Sequence, residues 1–223
     1  MNQIIKNLIV SAGGVVLVAC STVRVEENRM ETVVLDKTDA IAVLGRRHGS
    51  SYNTEYDLVS CVASNIGRDG LQVISETVLS DELYPWLEPR IAPIRIEAML
   101  YMMNRPTVRE RLNAMNLRYV VWVDGSTQTT DQSGSMSCAI APGFAGCYGM
   151  GIWTNESGYE VSIWDIEQNR EIDQISVSAE GTSYLPAIVV PIPIIARVQS
   201  SACNGIAMQV KSYFKGETGE TPN

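Results

Sequence analysis

Hydrophobic and polar positions alternate along this chain in three distinct ways, and each way predicts a different element. Short, mainly apolar runs stand at residues 40–45 (AIAVLG), 71–75 (LQVIS) and 117–125 (LRYVVWVDG). Runs of that length predict buried strands. At residues 159–164 the pattern has a period of two: Tyr159, Val161 and Ile163 alternate with Glu160, Ser162 and Trp164. That is a half-buried strand, IEQNRE reads as its turn, and IDQISVSAEG as the returning partner. Helical spacing appears in Leu58, Cys61, Val62 and Ile66, after Thr54-Glu55-Tyr56-Asp57, which resembles a capping box; Gly67 and Asp69-Gly70 end that helix. Further helices are predicted at 76–83, at 94–103 with a methionine-rich face, from Pro106 to Met115, and at 198–215 with Ala202, Ile206, Val210 and Tyr213 as its stripe.

Polar stretches separate these elements. Residues 21–38 read as a tether, with a strand at 32–35. STQTTDQSGSMS, after Gly125, reads as a polar loop, and the Gly/Pro loop CAIAPGFAGC comes next. LYPWLEPRIAP, with Pro85, Pro89 and Pro93, predicts an ordered irregular connection. The segment YLPAIVVPIPIIARV (184–198) is the most apolar part after the N-terminal run. Pro186, Pro191 and Pro193 exclude a regular membrane helix and oppose a central strand. Two readings stand: an extended segment burying Ile and Val in the body, or an exposed apolar patch for a partner or a membrane surface.

The N-terminal apolar run, residues 8–19, is about a dozen residues, short of the roughly 20 that span a bilayer. Lys6 precedes it, and no acid occurs before Glu26. A basic start, a short apolar core and small residues at its end make a secretory signal. Leu17-Val18-Ala19-Cys20 resembles a bacterial lipobox, which implies cleavage before Cys20 and a diacylglycerol on its thiol. The pattern adds an acyl chain to the freed amino group, and several chains anchor stably where one is marginal. Residue 21 is Ser rather than the Asp that retains such proteins at the inner membrane. The resemblance therefore implies an outer-membrane anchor with the body in the periplasm.

Composition narrows the function classes. The chain of 223 residues carries a net charge of −8, which disfavours a nucleic-acid interface and peripheral binding to anionic lipid. Hydrophobic residues make up 45%, enough for one real core. The expected division is a signal at 1–19, a lipidated N-terminus and tether at 20–38, a single domain at 39–215 and a frayed tail at 216–223. Beyond Cys20 lie Cys61, Cys138, Cys147 and Cys203. In an exported protein an even set suggests disulfides, and four cysteines permit three pairings. Cys138 with Cys147 would close the Gly/Pro loop. Cys61 with Cys203 is feasible if their helices pack together. Four free thiols are the other possibility.

The order strand, helix, strand, helices, strand, hairpin, helix resembles the module of the curli-secretion lipoprotein family. That module is also similar to the TolB N-terminal domain and to lipoprotein activators of peptidoglycan synthases. The strand from Leu117 to Gly125 and the turn Asp165-Ile166-Glu167-Gln168-Asn169-Arg170 occupy the places of that family's strand and hairpin turn. The resemblance implies an α/β (α+β) fold, a mixed sheet with helices on one face, preceded by a flexible tether. It implies binding or assembly, possible homo-oligomers, and no catalytic residues.

Candidate chemistry is sparse. His48 in GRRHGSS precedes a helix N-terminus, with Arg46 and Arg47 adding charge, yet the phosphate-loop and dinucleotide spacings are absent. No G-x-S-x-G elbow, CxxC or HExxH occurs, so no metal, cofactor or catalytic residue is assigned. Asp81-Glu82 could serve glycan hydrolysis only at a suitable separation from each other. Tyr84, Trp86 and Arg90 in LYPWLEPR form the expected partner-binding cluster, with Trp86 alternatively covering the core edge. The expected function is a non-catalytic, lipid-anchored envelope assembly or interaction protein. The alternatives are an oligomeric secretion-pore component or a cell-wall-acting periplasmic enzyme.

Overall fold

The computed structural model describes residues 21–48, 51–52, 54–88, 90–187 and 190–216. The expected signal and the expected lipid acceptor Cys20 lie outside them, as do residues 217–223. Among the described residues there are eight strands: β1 Ser21–Arg29, β2 Ala40–Gly45, β3 Arg47–His48, β4 Ser51–Tyr52, β5 Gln72–Ile74, β6 Leu117–Ala141, β7 Phe144–Asp165 and β8 Arg170–Ala187. The helices are α1 Tyr56–Gly67, α2 Glu76–Glu82, α3 Ile96–Met103, α4 Pro106–Ala114 and α5 Val198–Lys215. Six strands form one mixed sheet in the order β1-β8-β7-β6-β2-β5. β2 runs parallel to both β5 and β6, and the remaining pairs are antiparallel.

All six residues of β2 are buried, which is why AIAVLG has no polar alternation. Ile41 and Val43 face one core with α1 and α5, while Ala42 and Leu44 face a second core with α2, α3 and α4. The mixed α/β class is as expected. The helices, however, cover both faces of the sheet rather than one, because a parallel centre has no polar side to give to water. On one face α1 packs beside α5, and Cys61 and Cys203 are disulfide-bonded across them, 142 residues apart in sequence. Closing a loop of that length is worth about 5 kcal/mol in chain-entropy terms.

Three further expectations change. Residues 21–29 are not a tether but the edge strand β1, paired residue for residue with β8 from Ser21↔Gly181 to Arg29↔Asp173. Its sequence alternates: Val23 and Val25 approach Gly205 of α5, while Arg24 and Glu26 stay in solvent. Residues 32–35 form no strand. Thr54 does not cap α1. Its hydroxyl donates to the Val123 carbonyl (3.0 Å), and Glu55 is the capping residue without a side-chain cap bond.

β1 also buries a carboxylate. Asp173 is fully buried opposite Arg29, and neither of its carboxylate oxygens has a hydrogen-bond partner at bonding geometry. Burial, then the neighbouring Glu27 charge, pushes its pKa up to about 7, against the pull of Arg29. The folded state therefore holds a proton that the unfolded chain releases near its ordinary carboxylate pKa. Stability from this group is complete below about pH 4 and falls as pH rises toward 7. Asp173→Asn is expected to raise the melting temperature at pH 8 more than at pH 5, measured by thermal denaturation at both pH values.

Candidate functional site

β6 begins in the body and leaves it. Residues 117–123 pair with β2 on one side and, from Tyr119, with β7 on the other, but residues 124–141 pair, among the described residues, only with β7. The stretches expected to be a polar loop and a Cys-bounded loop are instead one continuous hairpin arm. Pro142 and Gly143, the latter at φ +83°, form its two-residue turn, and the Cys138–Cys147 disulfide closes it just behind the tip. Thr129, Asn155, Gly181 and Ser21 lie side by side across four strands. Beyond that line β7 continues to Phe144, about 35 Å at strand rise.

A carboxylate fixes the base of the arm. Glu55 accepts from the Thr127 backbone N–H at 2.6 Å and from the Tyr159 hydroxyl at 3.0 Å. It thereby satisfies an N–H that turns outward from β6 at the base of the arm. Glycines set the arm's shape. Gly134 has φ +100°, and a Cβ there would meet the Met150 carbonyl oxygen at 2.1 Å; Gly149 has φ +142°, with the Ser135 oxygen at 2.2 Å. L side chains are excluded at both, and paired glycine kinks of this kind curve a sheet.

The proline-rich segment resolves into two parts. Residues 184–187 belong to β8. The chain then turns back, and Tyr184↔Ile194 and Ala187↔Pro191 bridge it to the same edge of β8 that carries β1 lower down. Ile192 donates to the Pro186 carbonyl and Ile194 to that of Tyr184, at 3.0 and 2.8 Å. Pro191 and Pro193 occupy the alternate positions, whose nitrogens face away from β8. Their missing N–H groups therefore cost no ladder bond and leave an edge that cannot donate to another strand. Val190, Ile192 and Ile195 stay 66%, 63% and 58% exposed. The exposed-patch reading describes these residues, while Ala196 and Val198 enter the core.

The expected partner cluster is only half accessible. Tyr84 and Arg90 are exposed, but Trp86 packs on the second core under the Arg111 guanidinium, 5.2 Å from its ring. Neither arginine of GRRHGSS supplies loose charge. Arg46 pairs with Asp124 at 2.6 Å, and buried Arg47 pairs with buried Glu76 at 2.7 Å and donates to the Leu87 carbonyl. Burial raises the Glu76 pKa against the pull of Arg47. A cleft of about 380 Å³ runs from this pair past Ser80 to Tyr84. His48 lies on the two-strand ribbon β3–β4. Cys147 is held in its disulfide and offers no thiol for nucleophilic chemistry. No metal-ligand cluster occurs among the described residues.

Sequence reasoning misses the arm. Its signal is Pro142-Gly143, with Cys138 and Cys147 equidistant on either side. No protein-family model matches the chain, and no curated protein sequence does. Among solved structures the chain is similar to the PelC L103M dodecamer from Paraburkholderia phytofirmans, at 16% identity over 86% of this chain and 96% of that one, TM-score 0.38. It is also similar to a neuraminyllactose-binding hemagglutinin homolog from Helicobacter pylori, at 11% identity over 85% of each chain, TM-score 0.35. Likenesses this distant carry no functional weight.

Gly134→Val is expected to unpair the arm without unfolding the body. Hydrogen exchange should quicken across residues 128–153 while the melting temperature changes little.

Proposed function

We propose that this protein is a non-catalytic, lipid-anchored component of the bacterial outer membrane that acts by docking an extended strand of an envelope protein on its arm. The observation that carries the reading is the edge of β6. From Gln128 to Ala141 it has no strand partner among the described residues, and Asp131 is its only charge. Native edges are ordinarily short, charged, proline-broken or covered. Here the opposite side of the arm is covered as far as Gly149 by β8 and the proline-blocked segment beside it, and this side is open. Strand addition to such an edge takes its affinity from main-chain hydrogen bonds.

The register sets which groups are on offer. Cys138 and Cys147 stand 4.0 Å apart at Cα, the close spacing of a pair not hydrogen-bonded to each other. Even-numbered β6 residues in the outer arm therefore turn their N–H groups outward. Met136→Pro removes one outward donor and leaves the bonds to β7 in place. It is expected to abolish photo-crosslinks from a reactive residue at Ser135 to an envelope partner, with the melting temperature preserved. Undiminished crosslinking would discard the edge as the docking site.

The anchor is tested separately. Cys20→Ser removes the thiol that would carry the lipid, and a hydroxyl is a far poorer nucleophile. The variant is expected to fold, to take up no palmitate label and to remain unprocessed at the inner membrane. Normal labelling and outer-membrane recovery of the variant would exclude Cys20 as the attachment site.

A further inference from the structure

Where β1 begins decides how close the body sits to its anchor. Ser21 is in strand register with Gly181, and its hydroxyl lies 2.5 Å from that of Ser201 in α5. Cys20 is one Cα step away, about 3.8 Å. No tether therefore separates the acyl-bearing thiol from the folded body. The proline-blocked segment continues along the same edge of β8, three residues from Gly181 at Tyr184. At strand rise that is about 10 Å. The N-terminal end of β1 is directed along β8 toward it.

Charge is sorted in the same direction. The chain carries −8 overall, yet residues 132–155 and 181–196 contain no charged side chain. These two stretches are the outer arm and the proline segment. The acids Glu156 and Glu180 stop just inside the line through Ser21, and Asp131 lies one pair beyond it. An acidic body meets an anionic leaflet at lowest cost through an uncharged end, and exposed branched apolar side chains gain by entering the interfacial layer.

We propose that Val190, Ile192 and Ile195 form a second membrane contact beside the lipid anchor, entering the interfacial layer of the bilayer and fixing the orientation of the body. This rests on the anchor reading of Cys20. The proline-blocked edge suits the place, since its outward positions at 191 and 193 present no N–H groups that would need partners away from water.

The test uses the lipidated full chain with Ile192→Cys carrying an environment-sensitive NBD label, in phosphatidylethanolamine–phosphatidylglycerol vesicles. The other cysteines are engaged by lipid or disulfides. Lys37→Cys, at the opposite end of the sheet, carries the same label as control. A blue shift at 192 that appears only with vesicles, and none at 37, is the expected result. Palmitate labelling with no shift at 192 overturns this inference and leaves the anchor standing. A shift that tracks protein concentration without vesicles overturns it in favour of contact between copies. Absence of palmitate from the wild-type chain fails the anchor reading instead.

Discussion

The arm points where it does because the first seven residues of β6 are clamped from both sides. Tyr119, Val121 and Val123 bury one face against α1 and α5, and Val120 and Trp122 bury the other against α3 and α4. β2 and β7 hold both edges from Tyr119 to Val123. A strand fixed on two faces and two edges cannot swing. The outer part of β6, beyond Asp124, inherits its direction, and Glu55 takes the outward-turned N–H of Thr127 past the clamp. The body thus serves as the mount for a projecting sheet whose residues contribute little to either core.

That division also explains the charge pattern. Within the body, buried Asp173 apart, carboxylates sit where they can be paired or hydrated: Asp124 with Arg46, Glu76 with Arg47, Asp39 with Arg118. Asp165 spends one oxygen on the turn, accepting from the N–H groups of Glu167 and Gln168, and lets Asn169 take the positive φ that glycine usually supplies. Beyond the line through Ser21, Asp131 is the last charge on the arm, and further out polarity comes from uncharged side chains and backbone. An aqueous surface of an acidic protein would ordinarily carry acids there too.

Much of the body is legible in the sequence because its local signals agree with its tertiary ones. β2, the helix at 198–215, Pro106 at a helix start and the hairpin turn after Asp165 combine pattern and punctuation in one place. The sequence is silent where pairing, not burial, makes the structure. β1 reads as a polar tether because one of its faces and one of its edges meet water. The outer half of β6 reads as a linker because serine and glycine have low strand propensity, and only the disulfide and the ladder to β7 override it. Trp86 reads as an anchor because sequence does not show that Arg111 and the second core take both its faces.

The same edges weigh on the secretion-pore reading. Strands of about ten uncharged residues on either side of Pro142-Gly143 are long enough to cross a membrane. Crossing requires every edge to close on a neighbouring copy, since lipid offers no water to an unpaired ladder. β6 has an open edge for this along its whole outer length. β7 does not: β8 covers it from Gly149 inward, and among the described residues only 144–148 have no partner on that edge. The next available edge is that of the proline segment, which cannot donate at 191 or 193. A ring of these hairpins would join one long edge to one that is mostly occupied or blocked. Against that mismatch, an arm lying in water or headgroups, open on one side to a single added strand, leaves no backbone group unpaired in hydrocarbon.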